Sequence, residues 1–309
     1  MRQTTLATSV LALSYLFISH VVHAQISQGG QPRSFERGLS APAGIRTPLI
    51  DVAGLEAQDA INDQDKSIPY RFGYNHAVDF TLANSGTWNT LSDGTRLWRL
   101  GIECPGAFSI NFEFHDFRPA PGAKIFVIDE TGEYIGGFTT ENDHGEHVLG
   151  VQALKGSRIT IEYQVPAHGE LGSLQIGQIT HGYRDVFSYA RALGSSGACN
   201  NNVICPEGDP WRDQIRSVAI ITVNGSGICT GTLINNCASN GTPYFLTANH
   251  CLPGNLNVST WVFRFNWDSP SCMQNQNGPT NQTVSGATVL VNSAGSDVGL
   301  LQLNSTPPS

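Results

Sequence analysis

Lysine is scarce in this sequence: Lys66, Lys124 and Lys155 are the only three among 309 residues. No run of basic residues occurs, and the formal net charge is −8. That combination excludes the electrostatic footprint of a nucleic-acid-binding protein. No two cysteines form a CxxC pair and no HExxH occurs. Zinc is therefore not expected, and no metal or cofactor is assigned. Long apolar runs are missing too. The stretch "VLALSYLFI", Val10 to Ile18, is too short to cross a bilayer, and no later segment approaches the required length. No segment carries the 3.6-residue periodicity of a helix of convincing length.

The first residues have the form of an export signal. Arg2 supplies a positive start, the apolar run follows, and "VVHA" places small residues before a cut after Ala24. Residues 1–24 are thus expected to be a signal peptide of a secreted protein, extracellular or periplasmic, with no membrane association after its removal. Export changes the meaning of seven cysteines, which should pair in an oxidising compartment. Cys104 stands alone in the first half. Cys199, Cys205, Cys229, Cys237, Cys251 and Cys272 all follow residue 195.

Glycine is abundant and Asn, Ser and Thr crowd the second half, which suits an all-β fold rich in loops. Residues 25–65, rich in Gly, Pro, Ser and Gln, are expected to be a flexible linker. Residues 66–187 show clean two-residue alternation. "FSINFEF" puts Phe108, Ile110, Phe112 and Phe114 on one face, and "RITIEYQV" does the same with Ile159, Ile161, Tyr163 and Val165. Such strands between Gly and Pro turns predict antiparallel sheets packed as a β-sandwich. A second linker is expected at 188–197. From 198 to 309 charge almost disappears. The strand candidates there are "SVAIITV", "CTGTLI", "PYFLTA", "TWVFRFNW", "ATVLV" and "VGLLQL", whose spacing predicts a barrel.

Of nine histidines, His250 has distinctive company. It directly follows an apolar strand and precedes Cys251. A Cys229–Cys251 bridge would tie its turn to a neighbouring strand and hold the imidazole still, as a general base requires. Asp297 precedes the apolar "VGLLQL". It fits either a turn or cap residue or an acid carried inward that must find a partner, for which an imidazole N–H is suited.

"CTGTLINN…TPYFLTANHC" resembles the strand and histidine loop of trypsin-like serine proteases, and "SDVGLLQL" resembles their aspartate strand. The closer resemblance is to the bacterial lysyl endopeptidases. It is carried by "GSSGACNNNVICPEGDPWRDQIRSVAIITVNG" and "TWVFRFNWDSPSC", in order over roughly residues 194–303. The region before it resembles the β-rich propeptide of such proteases, which would pack on the protease domain. The resemblance implies a two-barrel fold of which residues 198–309 supply the first barrel, the second being missing from this sequence. It implies that His250 is the general base and Asp297 its orienting acid. It also implies disulfides Cys229–Cys251 and Cys205–Cys272, and a partner for Cys199 in the second barrel. Cys237 has no counterpart, and pairing with Cys199 or Cys104 stays open.

The nucleophilic serine of that family follows the aspartate at a long interval, so the chain as given lacks it and is expected to be inactive as a protease. "LGSSG" at 193–197 imitates a nucleophile turn but precedes the histidine, and Ser195 and Ser196 read as linker residues. The implied activity is hydrolysis of protein or peptide substrates after Lys or Arg through an acyl-enzyme. The alternative is a secreted non-catalytic binding protein, or pseudoprotease, with His250 and Asp297 as relics.

Overall fold

The computed structural model describes residues 27–186 and 201–308, apart from 253, 255–256 and 273–277. The expected signal peptide, the linker at 188–197 and Cys199 lie outside the described residues. Strands dominate, as the alternation demands. In the N-terminal part they are β1 (Gly44–Arg46), β2 (Tyr70–Arg71), β3 (Gly73–Thr81), β4 (Thr87–Thr90), β5 (Arg96–Glu103) and β6 (Ser109–Pro119). They continue with β7 (Lys124–Asp129), β8 (Tyr134–Phe138), β9 (Leu149–Lys155), β10 (Arg158–Val165) and β11 (Gly172–Gly182). One sheet runs β1-β5-β10-β7-β8, with β4 also on β5; a second runs β3-β11-β6-β9. Ile159, Ile161, Tyr163 and Val165 from the first meet Ile110, Phe112, Phe114 and Phe117 from the second in one buried cluster. This is the sandwich that the period-two pattern requires.

Phe108 departs from the expectation. It lies just before β6 and is 44% exposed. Phe117 takes its place in the core because a bulge at His115 shifts the register of β6 against β11. The opposite face of β6 is buried as well, although it carries Ser109, Asn111 and Glu113. Polar side chains are kept there because that face meets the rest of the chain. Asn111 Nδ2 donates to Gly225 O at 2.8 Å, Asn75 Nδ2 to Asn224 O at 2.8 Å and Gln178 Nε2 to Asn224 O at 3.2 Å. Gly225 has φ +75°, and a Cβ there would come within 2.6 Å of Gln178 and Thr180 side-chain atoms. Only glycine suits this contact.

The expected tether over 25–65 is corrected by the structure. Residues 33–36 form a short helix, α1 (Arg33–Glu36), and β1 pairs in parallel with β5. An 11-residue helix, α2 (Val52–Asn62), is N-capped by Asp51, whose Oδ1 accepts from Gly54 N at 3.0 Å. Polar, Gly/Pro-rich composition hid this order because the segment is held mainly by backbone and charged groups rather than by apolar burial. The amides of Arg33 and Ser34, for example, donate to the carboxylate of the buried Glu162.

After helix α3 (Arg212–Ser217), the chain forms β12 (Val218–Val223), β13 (Gly227–Ile234), β14 (Tyr244–Thr247), β15 (Val262–Phe265), β16 (Thr283–Ser285), β17 (Ala287–Ser293) and β18 (Val298–Leu303). They make one curled, half-barrel sheet in the order β16-β15-β12-β13-β14-β18-β17. Strands β12 and β18 bury every second residue, and Ile221, Val223, Phe245, Trp261, Phe263, Leu301 and Leu303 fill the interior. The fold is all-β and of the trypsin-like kind. The N-terminal strand β2 joins this sheet, with Tyr70 opposite Ile228 and Arg71 opposite Gly227.

One core group sets an acid limit on stability. His181, on β11, is 1% exposed, and among the described residues neither ring nitrogen has a hydrogen-bond partner. Burial, aided by the neighbouring His76, lowers its pKa to about 4. The unfolded value is near 6.5, so between those values the unfolded chain binds the extra proton. Stability is therefore complete above about pH 6.5 and falls by about 3 kcal/mol as the pH drops to about 4. Urea unfolding at pH 7 and pH 4 measures the loss, and His181→Phe should flatten it.

Candidate active site

His250 lies on a single turn, Asn249–Cys251, directly after β14. Asp297 closes a turn in which its N–H points back to Ala294 O, immediately before β18. Strands β14 and β18 pair with Thr247 opposite Gly299. That register puts the residue three past Thr247 beside the residue two before Gly299. Asp297 has φ +51°, a left-handed conformation that Asp tolerates better than most residues. It turns the carboxylate toward the histidine turn.

Both carboxylate oxygens are taken by His250. Oδ2 lies 2.7 Å from Nδ1, and Oδ1 accepts from the His250 backbone N–H at 2.8 Å. A carboxylate in this position accepts, so Nδ1 carries the proton of the neutral imidazole and Nε2 keeps its lone pair. These bonds from His250 hold the Asp297 carboxyl below the usual carboxylate range. The pair is open to solvent, with side-chain exposures of 27% for His250 and 53% for Asp297. Asn249 Oδ1 accepts from Asn292 Nδ2 at 3.1 Å, which ties the histidine turn to β17 as well.

Two disulfides brace the half-barrel, one of them at this end of the sheet. Cys229 of β13 bonds Cys251, next to the histidine, and Cys205 bonds Cys272. Among the described residues Cys104 and Cys237 are free thiols, the first buried and the second exposed. Burial raises the Cys104 thiol to about 11, so it is no nucleophile at neutral pH. The sulfurs of Cys229 and Cys251 and a ring nitrogen of His250 lie within 4.8 Å of one another. That spacing could suit a metal, but sulfurs joined in a disulfide offer no thiolate, and the set does not fit one. Replacing Cys229 and Cys251 together by Ser should cost about 3 kcal/mol for a loop of this length, read as a lower urea midpoint.

The structure thus brings together His250, Asp297, Cys229 and Cys251, and it places Cys205–Cys272 elsewhere on the same half-barrel. Sequence reasoning missed the neighbourhood of Asp65. That carboxyl is held low first by hydrogen bonds from Ser67 and, more weakly, by the charge of His250. No sequence signal links positions 65 and 250.

A curled antiparallel sheet with a carboxylate–imidazole pair beside a disulfide places the half-barrel in the trypsin-like fold class. Comparison with known proteins narrows it. Residues 193–309 match the family described as lysyl endopeptidase, C-terminal domain. A lysyl endopeptidase of Pseudomonas aeruginosa is 29% identical over 248 residues, covering 72% of this chain and 52% of that protein. The chain is thus similar to the lysyl endopeptidases, and it spans about half the length of the curated relative it matches. Among the described residues, no helix is long and apolar enough to cross a membrane.

Proposed function

We propose that this sequence belongs to the precursor of a secreted serine endopeptidase that cuts peptide bonds after Lys or Arg. His250 is its general base and Asp297 its orienting acid. Residues 27–186 act as a propeptide packed on the protease half-barrel. The observation that carries the reading is the fork of Asp297 onto His250, at 2.7 Å to Nδ1 and 2.8 Å to the backbone N–H. Held this way, Nε2 is ready to take the proton of a serine hydroxyl as that oxygen attacks the scissile carbonyl carbon. The imidazolium then gives the proton to the leaving amine, and Asp297 stabilises the positive ring without becoming protonated. Water repeats the cycle on the acyl-enzyme.

On this reading the 309 residues carry two of the three triad groups and are inactive alone, because loss of the nucleophile costs about 10⁶ in kcat. A fluorophosphonate probe tests it. The complete gene product, secreted and processed, should be labelled on a serine, and His250→Ala should abolish labelling. The 309-residue chain should not label. A folded, complete product that never labels would instead indicate a non-catalytic binding protein.

A further inference from the structure

A cavity of about 830 Å³ opens where the β7–β8 hairpin, the end of β9 and the loop before β16 come together. Its size falls in the range of small-molecule sites, about 300–1,000 Å³. It shares no lining residue with the His250–Asp297 pair. Ile135, Ala153 and Leu154 give it apolar surface, Leu154 being part of the sandwich core and Ile135 packed against that core. Six polar side chains border it as well: Asp129, Glu133, Gln152, Lys155, Thr280 and Asn281. Asp129 Oδ1 is taken by its own turn, where it accepts from Thr131 and from the Glu133 backbone N–H. Among the described residues, the side chains of the other five have no hydrogen-bond or ion-pair partner.

Gln152 stands apart from the rest. It is 5% exposed, and its Oε1 is buried without a partner. An orphan acceptor of this kind is costly and rare in a native interior. The strand geometry explains how it comes to be there. Ile110 pairs with Leu154 and Phe112 with Val151, so Gln152 and Ala153 of β9 stand opposite the single Asn111 of β6. Such a bulge re-aims side chains, and bulges concentrate beside functional sites. Val151 and Leu154 stay in the core, while Gln152 borders the cavity.

The chemistry of these groups selects a ligand. Glu133 and Lys155 are exposed, so water screens their charges, whereas the buried group is a neutral carboxamide. An ion pressed against Gln152 would be buried without an opposite charge, which is costly. The carboxylates and Gln152 Oε1 need donors, Lys155 needs an acceptor, and Asn281 and Thr280 can act as either. A hydroxyl group is both donor and acceptor. It can replace the water that meets these groups in the free protein and keep their bonds. The C–H faces of a sugar ring suit the apolar surface of Ile135 and Leu154. We propose that this cavity is a carbohydrate site that takes a short neutral oligosaccharide, with a ring hydroxyl donating to Gln152 Oε1. The site does not depend on the protease reading, because it uses neither the histidine turn nor the aspartate turn.

The test uses the full chain, with chitotriose, maltotriose and cellotriose as probes. Amide NMR should show saturable shifts at Gln152 and Asn281 with at least one of them. Trigalacturonate, a charged counterpart, should bind at least about tenfold more weakly, since two carboxylates line the cavity against one ammonium. Gln152→Leu keeps the bulk of the side chain and removes the orphan acceptor. It should weaken sugar binding at least about tenfold while the urea midpoint holds or rises. That split separates a binding role from a packing role. If the Leu variant does not fold, Lys155→Ala and Asn281→Ala, both at exposed positions, should each weaken binding about threefold. No saturable shift with any of the three sugars up to about 20 mM would overturn the proposal. So would a sugar affinity unchanged by these substitutions, or tighter binding of trigalacturonate. An uncharged extended peptide that displaces the sugar at lower concentration would overturn it as well.

Discussion

Asp297→Asn should lower kcat/KM of the complete enzyme about 10⁴-fold on a lysine-containing peptide, with folding intact. The geometry explains the size of the effect. Asn can keep the short bond to the His250 backbone N–H through its one carbonyl oxygen, because that site needs only an acceptor. Its amide nitrogen then faces Nδ1 at the position now held by Oδ2, 2.7 Å away. Two donors cannot share that contact, so the ring proton moves to Nε2. An Nε2–H cannot accept the serine proton, and the base is lost although the ring has not moved. Kinetics on the processed enzyme measure the loss, and nitrogen NMR of the His250 ring reads the tautomer change. A loss below about tenfold would remove Asp297 from the mechanism.

How far the sequence carries this site follows from where each constraint lies. His250 and Asp297 sit at the ends of strands with strong apolar patterns, "PYFLTA" and "VGLLQL", and the pairing of those strands brings them together. The pattern singles out both residues, while their pairing rests on the resemblance, because a single aspartate before a strand also fits an ordinary turn. The sandwich core was legible for the same reason: Ile159, Ile161, Tyr163 and Val165 alternate in sequence and share one buried face. Contacts made by polar groups were not legible. Asn111 and Glu113 have the look of a solvated face, yet they are buried where the sandwich meets the turn at Asn224–Gly225. Residues 25–65 read as a tether because the order seen from residue 27 depends on backbone bonds and acidic side chains such as Asp51, Asp59 and Glu162, none of which leaves a hydrophobic period. His181 stands among apolar residues of β11, and nothing in its spacing separates a buried neutral ring from an exposed one.

Of these side chains Asp59 carries the other large expected effect. Asp59→Ala should destabilise the chain by about 3–4 kcal/mol, toward the upper range for removing the centre of a buried ionic cluster. Asp59 is fully buried on α2 and faces three donors. Arg71 Nε lies at 2.8 Å and the Tyr183 hydroxyl at 2.6 Å, and Arg184 Nε makes an ion pair at 3.3 Å. Burial and the bond to Asp59 raise the Tyr183 phenol pKa, so it remains a donor at every physiological pH. Without the carboxylate, two guanidiniums face each other across a cavity with no acceptor between them. Each is partly exposed, Arg71 at 32% and Arg184 at 16%, so water recovers some of their solvation and holds the cost below that of a sealed site. Asp59→Asn should cost less, because its carbonyl oxygen still accepts from one donor. The urea midpoint should fall with the slope unchanged if the loss is purely one of stability. Hydrogen exchange locates the damage more sharply. Arg71 belongs both to this cluster and to the pairing with Gly227, so amides of β2 and of Gly227–Ile228 should lose protection before those of β5 or β10. Exchange that rises uniformly across the sandwich would show that Asp59 supports the core alone and does not hold β2 to the half-barrel.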